Sequence, residues 1–344
     1  MQSSISRREF LKLGALTLGA LATRPADRLT RKQAGLIGRV AYDSVSVFDS
    51  PRLTANTIGY RFRDDLLNIE YSLNPLTGPA YNPLWYRISE GYVHGGLIQP
   101  VSIQHNKVME RVSDRGQLCR VTVPYTRPYN YSALNGWKPQ SLFLLYYQSN
   151  HWVTDIVDGP DGKAWYQITE SWEGVQYYAA AADLQPIADE EFTPISADLP
   201  ASQKHIEISL AAQSLTAYEG DRIVLRIRIS SGVRNSGGEG LPTETPTGTF
   251  YIYSKLPTKY MGDDRLTDTL GDRYLPGVPW TAFFADGGYA VHGAYWHNNF
   301  GAPMSRGCIN VRPDHAHWLY RWTTPVAGAT DWEVTGHGTR VVVS

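Results

Sequence analysis

The chain of 344 residues is longer than one typical domain, so two or three domains are expected. Hydrophobic residues make up 42% and charged residues 19% of the sequence, which excludes a largely disordered chain. The formal net charge of -1 gives no basic excess of the kind that indicates nucleic-acid binding.

The N-terminal residues resemble an export signal of the twin-arginine type. Residues 6–12 read SRREFLK, and a short apolar run at residues 13–22 ends in the A-x-A cleavage pattern ALA. The run is too short for a stable membrane span and contains no cysteine for lipid attachment. We therefore expect residues 1–35 to be a signal peptide and connector. The mature protein is expected in the cell wall, in the periplasm or at the outer face of the cytoplasmic membrane.

A sequence repeat fills residues 36–190. The hexapeptide WYRISE at residues 85–90 recurs as WYQITE at residues 165–170, and LIQPV at residues 97–101 is matched by LQPI at residues 184–187. Short alternating segments surround these matches and are broken by Asp, Asn, Gly and Pro, a pattern that predicts strands. A supersecondary unit of about 75 residues is therefore used twice.

We divide this part of the chain into a first repeat, residues 36–115, and a second repeat, residues 116–190. Each has an Arg-Val pair near its start, with Arg39 in the first and Arg120 in the second. Both resemble the bacterial SH3-like modules of cell-wall proteins, which are small barrels. Neither holds a nucleophile with a base at useful spacing. We expect the repeats to bind or orient the protein on the wall, or to act as spacers.

The C-terminal part, residues 204–344, is predicted to be a β-rich domain with one helix. It follows a linker at residues 191–203 that is rich in Ala, Pro and acidic residues, and it opens with the alternating segment KHIEISL. The helix is expected to begin at Pro313, because proline suits the first helical position, and to turn Ala316 and Leu319 inwards. The predicted fold class is therefore mainly β.

The chemistry-bearing side chains gather in residues 291–310, VHGAYWHNNFGAPMSRGCIN. A cysteine is a useful nucleophile only as the thiolate. Beside Cys308, Arg306 supplies a cation and Gly307 lets backbone amides turn towards the sulfur, so we predict a lowered thiol pKa. His292 is the candidate base, because a hairpin or a wrapped loop can return it to the cysteine.

A disulfide is the first alternative for Cys308, since the chain has one other cysteine. Cys119 shares strand parity with Val121 and Val123 in the second repeat, so it is expected to be a buried core residue. A bond between the two sulfurs would also silence the nucleophile. We therefore expect both thiols to be free.

A metal centre is the strongest rival for the site, because His292, His297, Cys308, His315 and His317 lie close together in the sequence. On a helix, however, His315 and His317 are two residues apart and point in opposite directions, so they cannot both face one ion. We expect no metal and no other cofactor.

The stretch resembles the active-site signature of the L,D-transpeptidases of the YkuD type, a His-Gly pair followed by Ser/Thr-His-Gly-Cys. The matching residues are HG at 292–293 and SRGCIN at 305–310, with Arg306 where the family often has histidine. Upstream, TPTGTF at residues 245–250 is similar to the family's Thr-Pro-x-Gly-x-Phe element, and SSG at residues 230–232 to its Ser-x-Gly strand end. The ordered matches make the resemblance specific.

The resemblance implies a cysteine acyltransferase acting on peptidoglycan stem peptides. Cys308 would attack a stem tetrapeptide, His292 would move the protons, and the carbonyl of Gly293 would orient the imidazole. Two further sets of residues complete the predicted site. The oxyanion hole and its turn are assigned to Ser305, Arg306 and Gly307. Substrate contacts are assigned to Tyr295, Trp296, His297 and Asn310.

Three other functions stay open at this point. With water as the acceptor, the same site would be an L,D-carboxypeptidase. Other cysteine hydrolases of the wall are less favoured, because the NlpC type places its cysteine before the histidine and sortase-like enzymes separate the pair much farther. A non-catalytic wall-binding protein is also conceivable, but His292, Ser305, Gly307 and Cys308 are all present.

Overall fold

The computed structural model describes most of the chain, together with the backbone of a short strand at Leu29–Thr30. The described ranges are residues 35–76, 78–170, 175–234, 243–261 and 274–344. The export signal predicted within residues 1–35 therefore lies outside the described residues apart from that strand and residue 35. Within these ranges no helix has the length and apolar character that a membrane crossing requires.

The first repeat, together with the preceding short strand at Leu29–Thr30, forms a six-stranded and a three-stranded sheet around one core. The strand orders are β1-β6-β7-β8-β3-β4 and β5-β2-β9, where the numbers follow the chain. Alternate side chains point to the two faces of a strand, so Val45 and Val47 are buried between more exposed neighbours. The strands are β1 (Leu29–Thr30), β2 (Leu36–Val40), β3 (Ser44–Phe48), β4 (Thr57–Phe62), β5 (Leu66–Ile69), β6 (Tyr71–Leu73), β7 (Trp85–Ile88), β8 (Gly91–His94) and β9 (Ile98–Val101).

The second repeat forms a seven-stranded sheet, β13-β12-β17-β16-β15-β10-β18, and a small sheet of β11 and β14. Cys119 is fully buried in its core and carries a free thiol, as expected from its strand parity. The strands are β10 (Gln117–Val121), β11 (Tyr125–Thr126), β12 (Tyr129–Ser132), β13 (Gly136–Pro139), β14 (Leu145–Tyr146), β15 (Asn150–Asp158), β16 (Ala164–Thr169), β17 (Gln176–Ala180) and β18 (Leu184–Pro186).

The matched sequences of the two repeats take up the same local structure. Arg39 in β2 faces Gln99 in β9, and Arg120 in β10 faces Gln185 in β18, in antiparallel pairs. A short 3-10 turn precedes the last strand of each repeat. The similarity to SH3-like modules stays a prediction.

Residues 204–344 form two five-stranded sheets, β21-β20-β19-β28-β22 and β26-β25-β24-β23-β27. The elements are β19 (Lys204–Ser209), β20 (Ser214–Glu219), β21 (Arg222–Arg228), β22 (Gly248–Tyr251), β23 (Ser254–Met261), β24 (Leu275–Ala285), β25 (Tyr289–Gly293), β26 (Ile309–Val311), α1 (Pro313–Trp322), β27 (Val334–Thr335) and β28 (Arg340–Val343). The predicted mainly-β class is confirmed.

The predicted helix is confirmed as α1, which begins at Pro313 and buries Ala316 and Leu319. Its C-terminal carbonyls need donors, because the last turn of a helix leaves them without helical partners. The buried ammonium of Lys255 fills this role, with Nζ 2.6 Å from the carbonyl oxygen of Tyr320 and 2.9 Å from that of Thr323. A lysine of β23 thus fixes the end of the helix that follows the cysteine.

The predicted linker, residues 191–203, is packed against the C-terminal core. Phe192 is buried, with its ring centroid 5.6 Å from that of Trp280. Trp152 of the second repeat belongs to the same core and stacks on Trp332 at 4.8 Å. The second repeat and residues 204–344 therefore share apolar contacts.

Candidate active site

The candidate base and nucleophile lie on neighbouring parallel strands. In the register of β25 and β26, His292 is the partner of Asn310. Paired residues of adjacent strands project to the same face, and Cys308 comes two residues before Asn310, just ahead of β26. The topology therefore brings the two predicted catalytic residues to one face of the sheet.

Burial sets the state of the thiol. The Sγ atom of Cys308 lies 3.5 Å from the carbonyl oxygen of Gly288, and the side chain is only partly exposed. Loss of solvation raises the thiol pKa to about 11, although a hydrogen bond with the backbone of Ala290 opposes the shift. The lowering predicted from the charge of Arg306 is therefore wrong, because the cost of burying a thiolate dominates. The thiol is protonated at neutral pH.

His292 is a buried neutral imidazole held in one orientation. Its Nδ1 atom lies 3.1 Å from the carbonyl oxygen of Gly293, to which Nδ1–H donates, so Nε2 carries the lone pair. Burial lowers the imidazole pKa to about 4, and the Gly293 carbonyl only partly opposes this shift. At neutral pH the ring can accept a proton. The carbonyl that the sequence predicted as the orienting group is in hydrogen-bond contact with the histidine.

The turn at residues 305–308, called the cysteine turn below, requires glycine at position 307. Gly307 has φ +112°, and a Cβ there would approach the ring of Tyr289 to 2.4 Å. The hydroxyl of Ser305 donates to the carbonyl of Cys308 and accepts the amide N–H of Gly307 at 3.2 Å. An oxyanion would have to compete with Ser305 for the Gly307 amide, so the structure does not favour the oxyanion role predicted for that amide.

Two distant motifs converge on this turn. The Oγ1 atom of Thr245 donates to the carbonyl oxygen of Gly307 at 2.8 Å and accepts the amide N–H of Gly232 at 3.0 Å. The amide of Ser305 donates to the carbonyl of Ser231 at 3.1 Å. A Cβ on Gly232 would come within 2.8 Å of the Gly307 Cα. The SSG and TPTGTF segments thus support the cysteine turn through hydrogen bonds. The sequence did not predict this role for Thr245.

The four predicted substrate positions differ in exposure. Tyr295, His297 and Asn310 are buried, and the His297 Nε2 atom lies 3.0 Å from the Asn310 Nδ2 atom. Only Trp296 is partly exposed, and its ring centroid is 5.6 Å from that of His292. The geometry favours substrate contact for Trp296 and a supporting role for the other three. The substrate contacts themselves stay predictions.

No group of three or more His, Cys, Asp or Glu residues within the described ranges could hold a metal ion. His317 uses Nε2 in a contact of 2.7 Å with the carbonyl oxygen of Glu191, in the segment before the C-terminal part. This contact joins His317 of α1 to the linker.

A protein-family model matches the part of the chain that contains this site. The family model described as the L,D-transpeptidase catalytic domain, YkuD, matches residues 203–343. A comparison with curated proteins found no match.

Solved structures that resemble part of the chain include L,D-transpeptidases. That from Xylanimonas cellulosilytica is 31% identical over 41% of this chain and 60% of that chain, with a TM-score of 0.29. The catalytic domain from E. faecium is 23% identical over 41% and 96%, with a TM-score of 0.30. The Mycobacterium smegmatis protein is 16% identical over 71% and 100%, with a TM-score of 0.32. The chain spans 60% and 50% of the first two structures it matches. The cysteine turn therefore lies within a segment that matches an L,D-transpeptidase catalytic domain.

Proposed function

We propose that the chain is a peptidoglycan L,D-transpeptidase. Its thiol attacks the carbonyl carbon of the L-centred third residue of a stem tetrapeptide, which forms a thioester and releases D-alanine. An amine of a second stem then attacks the thioester, forms the new amide and frees the sulfur. The observation that supports this most is the neutral His292, oriented by the Gly293 carbonyl, beside the strand that follows Cys308, in a segment that matches the family.

The pKa shifts of Cys308 and His292 indicate the path of the thiol proton. At pH 7 the thiol of Cys308 and the imidazole of His292 are both neutral. His292 Nε2 takes the thiol proton as the S–C bond forms, and it returns that proton to the departing amino group of D-alanine. In the second half it takes a proton from the attacking amine and gives it to the departing sulfur of Cys308, which restores the thiol and the neutral imidazole. Burial thus keeps the nucleophile protonated until a substrate occupies the site.

Mass analysis of soluble muropeptides tests the proposal. Wild-type protein should release D-alanine and give a cross-linked dimer from tetrapeptide stems, whereas Cys308→Ala should give neither. Cys119→Ala is the matched control, because it removes the other thiol from the separate core of the second repeat and should keep turnover. Release of D-alanine by Cys308→Ala would contradict the assignment. Tripeptide products without dimers would instead identify a carboxypeptidase.

The second repeat offers a surface for wall binding. Its aromatic side chains form a cluster on the seven-stranded sheet, with the ring centroid of Trp137 4.9 Å from those of Tyr131 and Tyr178. Flat rings with polar edges suit contacts with amphipathic ligands such as glycan chains. Trp137→Ala should lower retention on insoluble sacculi, and Tyr125→Ala, at an exposed tyrosine outside the cluster, is the control. Equal retention of both variants would contradict a wall-binding role for this aromatic cluster.

Export by the twin-arginine route is proposed from the SRREFLK segment at residues 6–12. Replacement of both Arg7 and Arg8 by lysine keeps the charge and removes the arginine pair. The unprocessed chain should then accumulate in the cytoplasmic fraction. Normal export of this double variant would refute the route.

A further inference from the structure

The segment between β25 and the cysteine turn is bound by the first repeat. Its residues 295–299 read YWHNN. Arg39 Nη2 donates to the carbonyl oxygen of Tyr295 at 3.3 Å, and Asn82 Nδ2 donates to that of Asn298 at 2.9 Å. In return, the amide of Asn298 donates to the carbonyl oxygen of Gly96 at 2.7 Å. The first repeat therefore holds backbone groups at both ends of Trp296 and His297.

The arginine that makes the first of these contacts is itself fixed. Arg39 is 2% exposed, and Gln99 Oε1 accepts from both its Nε and its Nη2 atoms. Its Nη1 atom lies 2.8 Å from Asp64 Oδ1, and the ring of Tyr146 covers the guanidinium at 4.0 Å. These contacts fix the orientation of the planar guanidinium. Its hydrogen bond to the Tyr295 carbonyl therefore fixes residue 295 relative to the first repeat.

The two surfaces fit without spare room. A Cβ on Gly96 would approach Asn299 Oδ1 to 2.5 Å, and a Cβ on Gly301 would approach the carbonyl oxygen of Tyr81 to 2.3 Å. The side chain of Arg228 also donates to that Tyr81 carbonyl. Close backbone approach at two glycines shows that the segment and the first repeat pack directly against each other.

We propose that Arg39 and Asn82 are positioning residues that hold Trp296 beside His292, so that the first repeat is part of the catalytic unit. Trp296 stands in the sequence between Tyr295 and Asn298, whose carbonyls the first repeat binds, and its ring centroid is 5.6 Å from that of His292. Loss of either hydrogen bond lets the Trp296 ring and its backbone move away from the imidazole of His292. The effect on turnover rests on the acyl-transfer function proposed above, whereas the effect on thiol reactivity does not.

The second repeat supplies a matched control. Arg120 occupies the same place in its repeat as Arg39, opposite Gln185 instead of Gln99. Its Nη2 atom instead binds Glu191 Oε2 at 2.6 Å, at the first residue of the linker. Substitution of Arg120 therefore perturbs the equivalent strand pair, β10 and β18, and the ion pair with Glu191. These contacts do not involve residues 295–299.

The test uses full-length Arg39→Lys, Asn82→Asp and Arg120→Lys. Lysine keeps the charge but loses the fork of donors, and aspartate keeps the size of Asn82 but turns its donor towards Asn298 into an acceptor. Three quantities are measured: kcat and KM on a tetrapeptide stem, the rate of Cys308 alkylation by iodoacetamide against pH, and the midpoint of urea unfolding.

Arg39→Lys and Asn82→Asp should each lower kcat/KM about tenfold or more, because small displacements of site groups are costly. Both should also change the alkylation profile, while Arg120→Lys should leave kinetics and profile as in wild type. Lower urea midpoints with wild-type kinetics and profiles would overturn the proposal, since the contacts would then be only structural. If wild-type protein releases no D-alanine, the acyl-transfer proposal fails, and the alkylation profiles alone decide the positioning role.

Discussion

Thr245 gives the sharpest test of how the cysteine turn is supported. Its side chain is 5% exposed, and Oγ1 both donates to the Gly307 carbonyl and accepts the Gly232 amide. Thr245→Val keeps the shape but leaves these two buried groups without their partner. Each unpaired group costs roughly 1–3 kcal/mol, so the free energy of unfolding should fall by about 2–6 kcal/mol. Turnover should fall too, because Gly307 immediately precedes Cys308.

Urea unfolding followed by tryptophan fluorescence measures this loss, with turnover measured on the same samples. Thr245→Ser is the control: it keeps both hydrogen bonds and removes one methyl group, at a cost of about 1 kcal/mol. The valine variant should therefore lose clearly more stability and activity than the serine variant. Equal losses would mean that the methyl group, and not the hydroxyl, holds the turn.

Three further predictions follow from buried titratable groups. Since the folded pKa of His292 is about 4, below its usual 6.5, this residue contributes stability that is full above pH 6.5 and is lost as pH falls through 4. His292→Gln should remove about 3 kcal/mol of that acid sensitivity in urea titrations, and an unchanged pH dependence would refute it. With the Cys308 pKa raised to about 11, alkylation at pH 8 should be about 100-fold slower in the native protein than in urea, and equal rates would contradict the burial argument. Lys255→Met leaves helix-end carbonyls without their donor and should lower unfolding free energy by about 3 kcal/mol, whereas Lys259→Met, on the same strand but less buried, should have little effect.

Local patterns made much of the fold predictable. In KHIEISL polar and apolar residues alternate, because successive side chains of a strand point to opposite faces. This segment forms β19, and its isoleucines are buried. Pro313 marked the start of α1 because a missing N–H costs nothing at the first helical position. The spacing of His292 and Cys308 in the motif predicted the candidate site. The two residues come together because β25 pairs in parallel with β26, which begins just after Cys308.

The rest depends on contacts that no local pattern records. The direction of the Cys308 pKa shift follows from burial by the surrounding fold, while the sequence displayed only the neighbouring charge of Arg306. Likewise, YWHNN did not reveal that Tyr295 and His297 turn inwards while Trp296 keeps some exposure. The contact of Arg39 with Tyr295 joins positions 256 residues apart, beyond the reach of any motif spacing.

This separation has a consequence for the order in which the chain is made. Synthesis proceeds from the N-terminus, and domains generally fold as units in that order. The strands that carry Arg39 and its partner Gln99, β2 and β9, end at Val101, long before residues 295–299 leave the ribosome. Asn82 and Gly96, which bind Asn298, can thus be in place before residues 295–308 are synthesised. The candidate active site then forms against a first repeat that has already folded.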